Sequence, residues 1–509
     1  MTGPGRRAVL AGGAAALLAG LGWPAALRAE ADPFADILAA ARTAARTPWR
    51  PGSAALPAPL DALDYDRHRA IRPRPGGPAD LALGGDMRAH LLPPGWLFPT
   101  KVEVIPPGAT APMPFDPAAY DFEPRYFPDP IDADPARWEG VGYSGLRVLA
   151  PLNRPDRLDE VLVMQGASYF RALARGSAYG LSARALGLGT GGAAPEEFPA
   201  ITRIALGHPG PDGALPLAAL VDGPSAAAAF LVTLRPGAPT VMDCALHVFP
   251  RVTLAEAGIA PLTSMFFFGP MGPPADDFRP AVHDSDVLWI ENGAGEALWR
   301  PLANPARLQM SAFLDAGPRR FGLLQTPREA DAFSDPEAAY HRRPSAWVEP
   351  AHDWGAGAVM LLELPTRDEY ADNIAAFWRP AEPLAPGVEH RFAYRLVWAD
   401  EGVPPGAGVA VRRSASGIEP VARRGRLYVI DWAGLPPGAA PALRVVADAG
   451  EVVGQAGFAL PGEARLWRTS FVFEPPEGRD AAELRVTLEG VAGAPVWLHR
   501  WSRARDGGR

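Results

Sequence analysis

Ala227-Ala-Ala-Phe-Leu-Val-Thr-Leu234 and Thr240-Val-Met-Asp-Cys-Ala-Leu-His-Val248 are two apolar runs parted only by Arg-Pro-Gly-Ala-Pro. Short apolar runs rich in β-branched and aromatic residues, bounded by turn formers, read as strands. The second run holds Cys244, the only cysteine, which reads as a small core residue and leaves no partner for an internal disulfide. Working outward, the same texture recurs at Val102–Ile105, Asp159–Met164, Val287–Ile290, Gly322–Leu324, Ala358–Leu364 and Arg391–Trp398. Asn292-Gly293, set between two such runs, reads as a hairpin turn in which glycine supplies a positive φ. One segment departs from the pattern. Phe34, Ile37, Leu38, Ala41 and Ala45 recur at helical spacing, with Pro51 as the stop. The fold class expected is all-β.

Composition agrees with this reading. The 509 residues include 59 prolines and 54 glycines, which punctuate the apolar runs rather than cluster, as many short strands and turns require. A chain of this length suggests two domains and buries a core without disulfide or metal staples. Net charge is −8, and no basic stripe or tail appears, so nucleic acid is excluded as the expected partner. Lys101 is the only lysine; arginine carries the remaining positive charge.

The two ends add organisation. Arg6-Arg7, a mildly apolar run from Ala8 to Gly22 and Ala29-Glu30-Ala31 have the layout of an export signal, with the arginine pair pointing to the twin-arginine route. The run is too short and too rich in Gly and Ala to span a bilayer, which takes roughly 20 strongly apolar residues. Residues 1–31 are therefore expected to be a leader, and a periplasmic location without membrane insertion follows. Residues 32–398 read as one large domain and the turn-rich 399–408 as a linker. Residues 409–509, with short strands at even spacing, read as an immunoglobulin-like sandwich.

Several standard sites are absent: H-E-x-x-H, paired cysteines, a P-loop, G-x-G-x-x-G and G-x-S-x-G. No metal or organic cofactor is expected. Acidic, arginine and aromatic clusters remain between Gly142 and Trp378, the residue types from which carbohydrate sites are built.

The blocks Gly166-Ala-Ser-Tyr-Phe-Arg-Ala-Leu173, Tyr179-Gly-Leu-Ser-Ala-Arg184, Gly258-Ile-Ala-Pro-Leu-Thr-Ser-Met265, His283-Asp-Ser-Asp286, Trp299-Arg-Pro-Leu302, Phe321-Gly-Leu-Leu-Gln325, Arg343-Pro-Ser-Ala-Trp-Val-Glu-Pro350 and Asp372-Asn-Ile-Ala-Ala-Phe-Trp378 carry a resemblance. In order and spacing they resemble the periplasmic glucans biosynthesis protein G/D family, which acts on osmoregulated periplasmic glucans. The resemblance implies a galactose-mutarotase-like N-terminal β-sandwich followed by an immunoglobulin-like domain. It also implies an endo-acting, inverting β-1,2-glucanase, or a relative that transfers the cut chain. By motif position it places the general acid on Asp372 and the general base on Asp284. The base's proton is implied to travel indirectly, through water and a substrate hydroxyl.

Beside those two, Tyr340, Arg343, Trp347 and Glu349 read as glucan subsites, and Tyr169, Arg171 and Arg184 as lining of the same cleft. Glu369 and Asp286 are grouped with the substrate-binding residues; Glu369 is also placed to raise the pKa of Asp372, and Asp-Ser-Asp is also ordinary turn chemistry. His283 reads as a satisfied loop histidine, Trp299, Arg300 and Trp378 as packing. The expected partner is a β-1,2-linked glucan. A transglycosylase, or a non-catalytic glucan-binding factor working beside a membrane glucan synthase, remains open, as does the oligomeric state.

Overall fold

The computed structural model describes residues 31–507, apart from positions 53, 54, 133, 274, 405, 407, 437, 462, 464 and 465. The expected leader, residues 1–31, lies almost wholly outside the described residues. Among the described residues the protein is all-β, a sandwich built on an 11-stranded and a 13-stranded sheet, with a 4-stranded sheet formed by C-terminal strands.

The opening pair of runs explains the architecture. Ala226–Arg235 and Thr240–Pro250 pair antiparallel in the interior of the 13-stranded sheet. Ala228, Phe230 and Val232 point into the main core between the two large sheets. Ala229 and Leu231, on the other face, pack against Phe34, Ile37 and Ala41 of the helix Ala31–Ala45. A strand covered on both faces loses the apolar–polar alternation of a half-exposed strand. That is why this stretch reads as a continuous apolar run. Cys244 is fully buried in it.

Two local expectations need correction. The helix ends at Ala45, short of Pro51, because Thr47 precedes Pro48 and a residue before proline is disfavoured in helical conformation. The hairpin at Asn292 forms between Val287–Glu291 and Ala297–Pro301, but the positive φ falls on Gly295 (84°), not on Gly293. The loop is longer than a two-residue turn, and the Asn292 side chain closes it by accepting from the Glu296 N–H at 2.8 Å.

Beyond Val409 come Ala410–Ile418, Arg426–Ala433, Ala442–Ala447, Glu451–Ala459, Leu466–Glu474, Ala481–Glu489 and Val496–Ser502. Four of these form the small sheet. The other three extend the 13-stranded sheet, joined to it by a parallel pairing in which Leu298 meets Val496 and Trp299 meets Trp497. A second core fills the space between: Trp289, Trp299 and Trp347 from the large sheet pack with Trp432, Phe471, Trp497 and Trp501.

Candidate functional site

The segment His283–Asp286 is held from both sides. Phe266–Phe268 pairs with Val282–His283, and the Asp284 N–H donates to the Met265 carbonyl at 2.8 Å. His283 stacks on Phe266 (centroids 5.4 Å apart), and its Nδ1 lies 2.7 Å from Gln325 Oε1. Gln325 Nε2 in turn donates to the carbonyls of His283 and Tyr340 at 2.7 and 2.9 Å. The Asp286 carboxylate accepts from the Thr326 N–H and hydroxyl at 2.8 and 2.6 Å. Asp286 thus braces the loop, with both carboxylate oxygens bonded to Thr326.

Asp284 differs. Its side chain is 11% exposed and reaches only the Arg343 guanidinium, at 3.4 Å. Its Oδ1 is buried without a hydrogen-bond partner. Burial pushes this carboxyl up to about 6, against the pull of Arg343, with Asp372 and Glu369 adding to the rise.

Asp372 precedes the strand Ile374–Pro380 and is joined to the same loop by its neighbour Asn373. The buried Asn373 side chain accepts from the Phe266 N–H at 2.8 Å and donates to the carbonyls of Phe266 and Leu364, each at 3.0 Å. One amide therefore fixes the Asp372 turn to the short ladder that carries Asp284. Asp372 keeps 38% of its side chain open, with Arg171 Nη2 3.9 Å away. The surrounding protein raises its pKa by burial, and Arg171 opposes the rise. Glu369 does not act on Asp372 as expected. It is ion-paired to Arg279 at 2.7 Å, and its charge bears on Asp284 and Tyr340 instead.

Tyr169 and Arg171 share one face of the strand Tyr169–Ala172, while Phe170 and Ala172 enter the core. Arg171 Nε donates to Ser182 Oγ at 2.8 Å, leaving the rest of the guanidinium toward Asp372. Arg343 donates to the carbonyls of Tyr179 and Ala338, and its guanidinium lies 5.0 Å from the Tyr340 ring. Burial, then the charges of Glu369 and Asp284, raise the Tyr340 hydroxyl's pKa. Asp284, Asp372, Arg171, Arg343, Tyr169 and Tyr340 are thereby brought together.

Three expected residues are not. Arg184 is 3% exposed, paired with Glu196 and held between the Tyr169 and Phe198 rings at 5.1 and 4.8 Å, so it braces Tyr169 from behind. Trp347 is 2% exposed in the second core, and its indole N–H donates to Glu349 at 2.9 Å. Strand alternation explains the error: Ala346 and Val348 of Ser345–Pro350 face the main core, so Trp347 and Glu349 face the other way. Trp299 and Trp378 are core side chains, and Arg300 is buried against Glu363 at 3.4 Å.

The sequence reading missed two residues. Asn373 has the look of an ordinary turn residue beside an aspartate. Arg279 binds Asp277, Asp335 and Glu369 at 2.9, 3.1 and 2.7 Å, partners drawn from three separate loops. The crowded Asp276-Asp-Phe-Arg279 was the one available signal. No group of three or more metal-ligating side chains occurs among the described residues, and no described helix is long and apolar enough to cross a membrane.

Large sandwiched sheets carrying two under-paired aspartates among arginines and tyrosines define an all-β protein with an acidic, arginine-edged site. The chain belongs to the family described as Periplasmic glucan biosynthesis protein, MdoG, whose model matches residues 33–501. It is similar to Glucans biosynthesis protein G of Vibrio cholerae serotype O1, 42% identical over 472 residues that cover 91% of this chain and 85% of that protein. The protein of the same name from Rhodopseudomonas palustris strain BisA53 is 42% identical over 515 residues, 98% of this chain and 99% of the relative. That from Shewanella frigidimarina is 41% identical over 471 residues, 91% and 83% of the two chains.

Proposed function

We propose that this protein processes glucan in the periplasm as an endo-acting, inverting β-1,2-glucanase. The single observation that carries the reading is the Asn373 joint, which fastens Asp372 beside the loop of Asp284 while leaving both carboxyls under-paired. Relatives named for glucan biosynthesis supply the substrate class; the β-1,2 linkage and the assignment of roles rest on the motif resemblance.

In this mechanism Asp372 protonates the leaving glycosidic oxygen. Water attacks the anomeric carbon from the opposite face, and its proton passes toward Asp284. Asp284, poised near 6, is ionised at neutral pH, as a base must be. Asp372 is raised by burial, and a glucan that displaces water from its open side raises it further, which favours the protonated acid. Arg171 and Arg343 supply fork donors for sugar hydroxyls.

Incubation of the mature protein with linear β-1,2-glucan, followed by chromatography and polarimetry, tests the reading. Shorter oligosaccharides of inverted anomeric form are expected. Asp372→Asn and Asp284→Asn each lower kcat by about 10²–10⁴-fold. New linkages or rings replace the hydrolase by a transglycosylase, and binding without turnover by wild type replaces it by a glucan-binding factor.

A further inference from the structure

Phe278 and Tyr370 are the two most exposed aromatic side chains among the described residues, at 81% and 89%. Both sit on loops tied to the proposed reaction centre. Tyr370 lies between Glu369, whose charge reaches Asp284 and Tyr340, and Asp372 itself, two residues on. Phe278 immediately precedes Arg279, which holds Glu369 at 2.7 Å. One ion pair therefore ties the loop that carries Phe278 to the loop that carries Tyr370. The hub is stiff: Arg279 also grips Asp277 and Asp335, and the Tyr370 N–H donates to Asp368 at 3.0 Å. Arg279 lies 5.7 Å from the Phe278 ring centroid, fixing that ring's edge of the loop as well.

Leaving two large rings in water forfeits the burial each could contribute elsewhere, and sequence-local packing gives no reason for it. Rings presented on rigid loops beside an acid–base pair suit the C–H faces of pyranose rings, which stack on aromatic surfaces. We propose that Phe278 and Tyr370 form an aromatic subsite that grips glucosyl units next to the cleavage point and sets the minimum length of glucan accepted. This inference rests on the glucanase reading and deepens it.

The test uses the full mature protein, linear β-1,2-glucan and a ladder of β-1,2-glucooligosaccharides. Phe278→Ala with Tyr370→Ala is expected to raise KM for long chains about tenfold, with a smaller change in kcat, as loss of uniform binding requires. The penalty shrinks for oligosaccharides too short to reach the rings. Tyr370→Phe, which keeps the ring, restores the wild-type KM; a purely structural or hydroxyl role does not. Because both side chains project into solvent, the melting temperature of the double variant stays at that of wild type.

Normal turnover with KM unmoved in the double variant overturns the subsite and leaves the glucanase reading intact. So does an unmoved KM accompanied by loss of a self-associated form in sedimentation, which assigns the rings to contact with a second copy. A wild-type protein that neither binds nor cuts β-1,2-glucan overturns the glucanase reading, and the subsite falls with it.

Discussion

The rim and the floor of the site treat the same chemistry in opposite ways. At the rim, Arg279 meets three carboxylates at 2.7–3.1 Å, each pair close enough for a charge-assisted hydrogen bond. On the floor, Arg343 stands 3.4 Å from Asp284 and Arg171 3.9 Å from Asp372, and one Asp284 oxygen has no hydrogen-bond partner. The rim's charges are quenched and hold loops together. The floor's carboxyls are raised by burial, and their arginines stand too far off to offset it. Stability is concentrated in the first place and withheld in the second.

Three substitutions sharpen or break this contrast, and the largest effect belongs to the floor. Asp284 carries a folded-state pKa of about 6 against an ordinary 3.8. Below both values the carboxyl is protonated in either state and folding is indifferent to it. As pH rises from about 4 the unfolded chain ionises while the buried group resists, so stability falls until the folded group ionises near 6. Asp284→Asn is therefore expected to stabilise the fold by about 3 kcal/mol above pH ~6, a gain that disappears toward pH ~4, while activity collapses. Denaturant unfolding across that range checks it; a gain independent of pH places the effect elsewhere.

At the rim the sign reverses. Arg279→Ala leaves three carboxylates facing one another and is expected to destabilise the fold by about 1–3 kcal/mol at neutral pH. Acid protonates the stranded carboxyls, so the deficit shrinks as pH falls. Denaturant unfolding at two pH values reads both trends, and a variant as stable as wild type removes the clamp from the account. The smallest effect is expected from Arg171→Ala. With the opposing cation gone, the Asp372 pKa moves up, and the alkaline limb of the kcat–pH profile moves the same way. A limb that stays in place detaches Asp372 from that role.

Much of the scaffold could be read before any coordinates. Ala226–Arg235 and Thr240–Pro250 announce themselves because a doubly covered strand leaves an uninterrupted apolar run, and Phe34, Ile37 and Ala41 mark the helix that does the covering. Asp284 and Asp372 stood out through family-like blocks rather than through any local signal. Failures came where orientation or distance mattered. A polar-aromatic stretch such as Arg343–Pro350 does not reveal which alternate residues face the site, and Trp347 and Glu349 were misplaced by that ambiguity. Arg279 was missed for a different reason: beyond its neighbour Asp277, its partners Asp335 and Glu369 come from segments that only the tertiary fold assembles.

The parallel pairing of Leu298 with Val496 and Trp299 with Trp497 has a mechanical consequence. Ala297–Pro301 is hydrogen-bonded to Val287–Glu291, the strand that begins one residue after Asp286. The last strand is therefore two strand pairings from Val287–Glu291, which follows directly on the segment bearing Asp284. Shortening the chain before Val496 would bare a sheet edge and a tryptophan-rich face. The C-terminal strands thus complete a core that they share with Trp289, Trp299 and Trp347 of the larger part.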